Sequence, residues 1–122
     1  FVASFIGSPP MNLMPGQADG SRFTLGSIGL PLPAAAPRSG PLTLGVRPEH
    51  VVLDPQGAWP LKVDVLEMLG AERLVYGHLG DAPFTLRIDA TLKAPKPGDI
   101  VPLSVSPEHV HWFDAASGQR VT

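Results

Sequence analysis

Cysteine is absent from the 122 residues, which removes disulfide staples, thiolate zinc sites and thiol nucleophiles from consideration together. A basic excess is lacking too. Nine Lys and Arg stand against eleven Asp and Glu, a net charge of −2 and a pI near 6.0, so polyanions such as nucleic acid are disfavoured partners. No apolar run approaches the roughly 18 residues a membrane-spanning helix needs. No Gly-x-x-x-x-Gly-Lys-Ser/Thr loop and no Gly-x-Ser-x-Gly elbow occur, which argues against nucleotide hydrolysis and acyl transfer by this chain. Past residue 10 no stretch sustains a helical period, and the eight aromatics are not interleaved with basic residues as base-stacking platforms require.

Glycine and proline are plentiful, at 13 and 15, and the apolar residues between them alternate. Leu42, Leu44 and Val46 point one way and Thr43 and Gly45 the other. Leu61, Val63 and Val65 alternate with Lys62 and Asp64, and the inward set is expected to switch to Leu66 and Met68 across a bulge near Leu66. Arg73 to Leu79 reads as a strand interrupted at Gly77, followed by Phe84, Leu86, Ile88 and then Val101, Leu103, Val105. Two short strands are expected around Met11–Met14 and Arg22–Leu25, and a loop or mobile connector over the proline-rich 31–41. Short strands joined by Gly and Pro turns imply an all-β fold, a small barrel or sandwich. Phe1, Val2, Phe5 and Ile6 share one side of a short helical segment that Gly7-Ser8-Pro9-Pro10 would end. The chain starts without methionine and has the look of a piece of a longer protein.

One phrase is written twice. Pro48-Glu49-His50-Val51 returns 59 residues later as Pro107-Glu108-His109-Val110, each copy following an alternating strand. Proline presets φ for the first position of a helical turn and an acidic neighbour suits its positive end, so both read as tight corners of one β structure. Ser106 is a candidate cap for the second. His109 and His111, with Glu108, are the best metal-ligand pairing available, but no third ligand of suitable spacing is evident, and exposed or hydrogen-bonded histidines are the better reading. Glu49 and Glu108 lie on turns, where solvated roles are usual, and no paired carboxylates suggest acid–base work.

Read together, residues 1–16 (Phe-Val-Ala-Ser-Phe-Ile-Gly-Ser-Pro-Pro-Met-Asn-Leu-Met-Pro-Gly), 44–50 (Leu-Gly-Val-Arg-Pro-Glu-His), 65–72 (Val-Leu-Glu-Met-Leu-Gly-Ala-Glu) and 107–114 (Pro-Glu-His-Val-His-Trp-Phe-Asp) resemble the C-terminal regulatory domain of sugar-importer ABC ATPase subunits of the maltose and glycerol-3-phosphate type. The resemblance implies an OB-like β-barrel of the TOBE/MOP kind over residues 13–122. It also implies that residues 1–12 end a linker from a nucleotide-binding domain preceding Phe1. ATP and Mg would belong to that domain, leaving no cofactor, metal or catalytic residue here. Ser8, Pro9, Met11 and Asn12 match the junction phrase and Arg47, Pro48, Glu49 and His50 the barrel corner, as interface or scaffold positions. The implied partners are a second copy of the subunit, membrane permease subunits reached through the ATPase domain, and a regulatory protein, at the cytoplasmic face of the membrane. Two alternatives from other classes are a barrel sensing a small oxyanion or sugar, with Arg47, Arg73 or Arg87 as anion contacts, and an OB-type nucleic-acid binder.

Overall fold

Ten strands alternate with tight turns in the computed structural model, which describes residues 11–89 and 94–121; Ser8, Pro9 and the expected helical segment lie outside them. The strands are β1 (Asn12–Asp19), β2 (Arg22–Leu25), β3 (Ile28–Pro31), β4 (Gly40–Val46), β5 (Val51–Leu53), β6 (Trp59–Leu69), β7 (Glu72–Leu79), β8 (Ala82–Asp89), β9 (Ile100–Val105) and β10 (His111–Asp114). They form two antiparallel five-stranded sheets, ordered β10-β4-β1-β2-β3 and β5-β9-β6-β7-β8. Each order becomes the other when the strand number is advanced by five, so the chain is two copies of one five-strand unit. The last strand of each unit is inserted into the sheet of the other. The exchange keeps its register: Val52 pairs with Ser104, and His111 with Gly45, the positions 59 later and 59 earlier.

Four hairpins use two-residue loops, Gly20-Ser21, Gly26-Ser27, Gly70-Ala71 and Gly80-Asp81, and in each the glycine alone has a positive φ, near +60°. That is the glycine-first turn whose twist suits antiparallel strands. Between the sheets the inward positions of both units fill a single core, including Met14, Phe23, Leu42, Leu44, Leu61, Val75, Leu86 and Leu103, all at most 1% exposed. Together the two sheets make a nearly closed, OB-like barrel.

The open sides are sealed by side chains. Asn12 Nδ2 on β1 donates to the carbonyls of Val46 at 3.1 Å and Thr85 on β8 at 2.8 Å, and its Oδ1 accepts from the Thr85 amide at 2.8 Å. At the opposite seam Trp59 Nε1 on β6 donates to the Pro31 carbonyl on β3 at 2.7 Å. Each sheet thus reaches the far edge strand of the other. Trp59→Phe keeps most of the packing but leaves that carbonyl unpaired, and should cost about 1–2 kcal/mol in urea unfolding.

Several expectations need correction. β1 is one strand through Pro15-Gly16; over Asn12–Gly16 it is paired only with β4, leaving a side that tolerates a missing N–H. The bulge falls at Asp64, where the register steps from Val63–Gly77 to Val65–Tyr76. Alternation therefore flips before Val65, which is exposed, and Leu66 is half-buried on the inward face; Met68, on the same face as Leu66, is exposed all the same near the end of the strand. β7 is not broken at Gly77, although the close approach expected there is real. The proline-rich connection is narrower than 31–41, because Pro31 ends β3 and Gly40 begins β4. It is also pinned, by Leu32 N–H to Ser21 O at 2.7 Å and Ala36 N–H to Gly20 O at 2.8 Å.

Candidate functional site

The exchange of β5 and β10 brings the repeated corners face to face. Pro48–His50 and Pro107–His109 each form a single 3₁₀ turn with proline at its start, and the strand that leaves each turn crosses to the other sheet. Ser106 makes no side-chain cap, so the turn geometry rests on proline and on His109 N–H donating to Ser106 O at 3.0 Å. The equivalent bond runs from His50 N–H to Arg47 O, also 3.0 Å.

His50 and His109 stack at this crossing, ring centroids 3.9 Å apart and planes 17° from parallel. Both are half-buried, and His50 Nδ1 is a buried nitrogen without a hydrogen-bond partner. Beside them His111 Nδ1 contacts an Arg120 guanidinium nitrogen. Partial burial, and then the positive charge of Arg120, Arg47, His50 and His109, hold the His111 imidazole below the ordinary histidine range. Five basic side chains from three stretches of chain, 47–50, 109–111 and 120, therefore gather here. His109 and His111 do not act as a strand pair, since one ends the turn and the other begins β10. Among the described residues no group of three or more His, Asp or Glu is arranged to hold a metal ion.

The other predicted positions divide by burial. Pro48 is buried under its corner, whereas Arg47 and Glu49 are exposed. Asn12 is buried in the seam and is structural. Met11 lies against Gly45, where an added Cβ would come within 2.7 Å of its sulfur and 2.8 Å of the Phe113 ring. Met11, Leu13 and Phe113 thus form an apolar strip on the outer side of the first sheet. Arg73 and Arg87 do not join Arg47: Arg73 Nε donates to Met68 Sδ at 3.1 Å, and Arg87 Nε to Glu72 Oε1 at 2.8 Å. The sequence reading missed the His50–His109 stack and the part played by Arg120. The signal lay in the repeat, because identical corners of an exchanged pair meet at their pseudo-twofold axis.

Asp114 closes the far end of β10. Its carboxylate accepts from the Ser117 and Ala116 amides at 2.9 and 2.8 Å and from Arg38 at 2.5 Å. The Ser117 amide first, then Arg38 and the Ala116 amide, pull its pKa down to about 2. A folded-state pKa below the unfolded value gives a contribution present above the unfolded pKa and lost as pH falls through the folded one. The protection of the Ser117 amide relative to an unfolded chain should therefore hold down to about pH 4 and fall toward pH 2; unchanged protection at pH 2 would refute the carboxylate's role.

The sequence pattern of the TOBE domain matches residues 44–113. The chain belongs to the TOBE domain family. The MalK OB fold domain pattern matches residues 7–51. This TOBE chain is 43% identical over 122 residues to the sn-glycerol-3-phosphate import ATP-binding protein UgpC of Jannaschia sp., covering 99% of this chain and 34% of that protein. It is 46% identical over 129 residues to the UgpC of Salmonella paratyphi A, covering 99% and 36%. The chain spans about a third of the length of the curated relatives it matches. Among solved structures, the molybdate-bound form of ModG, described as a cytoplasmic molybdate-binding protein, superposes with a TM-score of 0.66 at 17% identity, over 84% of this chain and 95% of that one. That likeness is one of fold.

Proposed function

We propose that this TOBE domain is the non-catalytic regulatory and dimerisation module of an ABC importer ATPase subunit for carbohydrate or glycerol 3-phosphate uptake. The observation carrying this reading is the end-to-end similarity to two UgpC proteins, across 99% of the chain at 43–46% identity. A barrel interior filled by aliphatic and aromatic side chains, with no phosphate-cradling loop in the sequence, suits a docking module rather than a catalyst. On this reading ATP and Mg are handled by a nucleotide-binding domain encoded ahead of Phe1. The subunit pairs with its own copy, meets permease subunits through that domain, and works at the cytoplasmic face of the membrane. Outer strand faces such as the Met11, Leu13 and Phe113 strip are available for the contact between copies or with a regulatory protein.

Two measurements test it. The gene should encode a phosphate loop and signature helix upstream of Phe1, and calorimetry of the 122-residue chain should show no ATP binding. Micromolar ATP affinity in the chain, or an unrelated upstream sequence, would defeat the reading.

A further inference from the structure

We propose that the groove between β5 and the connection from β8 to β9 docks an extended segment of a partner protein, in which proline and small apolar residues are followed by an arginine. The groove has a volume of about 500 Å³ and is walled by Leu53, Pro95, Val101 and Pro102, with the carboxylates of Asp54 and Asp99 beside them. Among the described residues the ion pairs are Arg38–Asp114, His78–Asp64 and Arg87–Glu72, so neither Asp54 nor Asp99 is matched by a cation there. Both carboxylates are held in place by local amides instead. Asp54 Oδ1 accepts from Gln56 N–H and Asp99 Oδ2 from Lys96 N–H, each at 2.9 Å. An apolar wall with two uncompensated negative charges at its rim selects a ligand that is apolar along its length and positive at one point.

The repeat within the chain shows what such a groove accepts. The first unit has the equivalent place between β10 and the connection from β3 to β4, and Leu53 and Trp112, 59 residues apart, line the two. There the connection over 32–39 supplies the occupant from within the chain. Ala36 packs on the core, Pro33 and Pro37 face Val110 and Trp112 across a smaller space of about 280 Å³, and Arg38 donates to Asp114 at 2.5 Å. Asp114 ends β10 as Asp54 follows β5. The connection over 90–99 contains no arginine. A partner segment that lays proline and alanine along Pro95 and Pro102 and sets an arginine on Asp54 would give the second unit what the first gives itself. Proline keeps such a segment extended before it binds, which lowers the ordering cost. This surface goes beyond the importer reading and does not depend on it, since a domain of any parent could carry it.

The test is a titration of the ¹⁵N-labelled 122-residue chain, at constant ionic strength, with a synthetic peptide of residues 31–40, Pro-Leu-Pro-Ala-Ala-Ala-Pro-Arg-Ser-Gly. Saturable amide shifts at Leu53, Asp54, Asp99 and Val101 that share one dissociation constant are expected. A peptide carrying Arg38→Gln should bind about fivefold more weakly, the upper range for an exposed ion pair. Asp54→Asn in the chain, which keeps the acceptor for Gln56 N–H, should cost the same. The two changes together should cost no more than either alone, because they remove one interaction. Asp19→Asn, at the end of β1 in the other sheet, should change nothing. Shifts that do not saturate, additive losses for the two changes, or an equal loss in Asp19→Asn would overturn the proposal. So would shifts confined to Val110 and Trp112, which would mean that the peptide displaces its own counterpart in the first unit. Shifts of the groove amides on concentrating the chain alone would make a second copy the occupant and overturn it as well. Each outcome stands apart from the results for ATP binding and upstream sequence.

Discussion

Replacing Asn12 by alanine should lower the unfolding free energy by about 3 kcal/mol, an effect far above that of an ordinary surface change. The side chain is 8% exposed and makes three hydrogen bonds, one to β4 within its own sheet and two to β8 in the other. Truncation strands the Thr85 amide and two carbonyls at a seam that is buried at Val46 and partly buried at Thr85, where each loses a partner that water replaces poorly. Asn12→Asp is the sharper variant. It keeps the size and the acceptor for Thr85 N–H but turns the donor toward two carbonyls into a charged oxygen, so it should destabilise at least as much as alanine. Chemical denaturation measures both. If Asp were tolerated like Asn, shape rather than hydrogen bonding would be what the position requires.

A comparable loss, again about 3 kcal/mol, is expected for Gly77→Ala on β7. A Cβ built at Gly77 falls 2.1 Å from the Lys62 carbonyl oxygen and 3.1 Å from a Leu61 methyl. The obstacle is backbone of the neighbouring strand, which cannot rotate aside as a side chain would. The contact sits next to the Asp64 bulge, where β6 bends toward β7 and the sheet curls to meet its counterpart. Relief would require the strands to separate and weaken the β6–β7 ladder. Gly77→Ala should therefore also speed amide exchange along the β6–β7 ladder. A neutral substitution, with exchange unchanged, would show that the bend has slack.

How much of this could be read from the residues follows from how local each signal is. Alternation placed β4, β7, β8 and β9 and the inward sets Leu42-Leu44-Val46 and Phe84-Leu86-Ile88, because period two survives wherever the ladder is regular. It failed for Val65 because one unpaired residue at Asp64 inverts the positions that follow, and for Met68 because the end of β6 runs past the core it would have faced. Pro15-Gly16 was misread as a stop because proline signals a break only where both strand sides are paired. The family phrases pointed to the OB-like barrel, and the TOBE match, strand content and OB-type neighbour bear that out. The corners were visible as a repeat, but the stacking of His50 on His109 was not, since nothing in either copy states that their outgoing strands change sheets. Asn12 was singled out for its place in a junction phrase, whereas its position in space is that of a clasp between sheets.

The crossing of β5 and β10 also sets the order in which the molecule can be completed. The first sheet lacks its edge until residues 111–114 arrive, so a chain emerging from the ribosome must hold β4 unfinished while β5 to β9 are made. Neither half can mature ahead of the other, and the sheet begun first is finished by residues 111–114, after the nine other strands have been made.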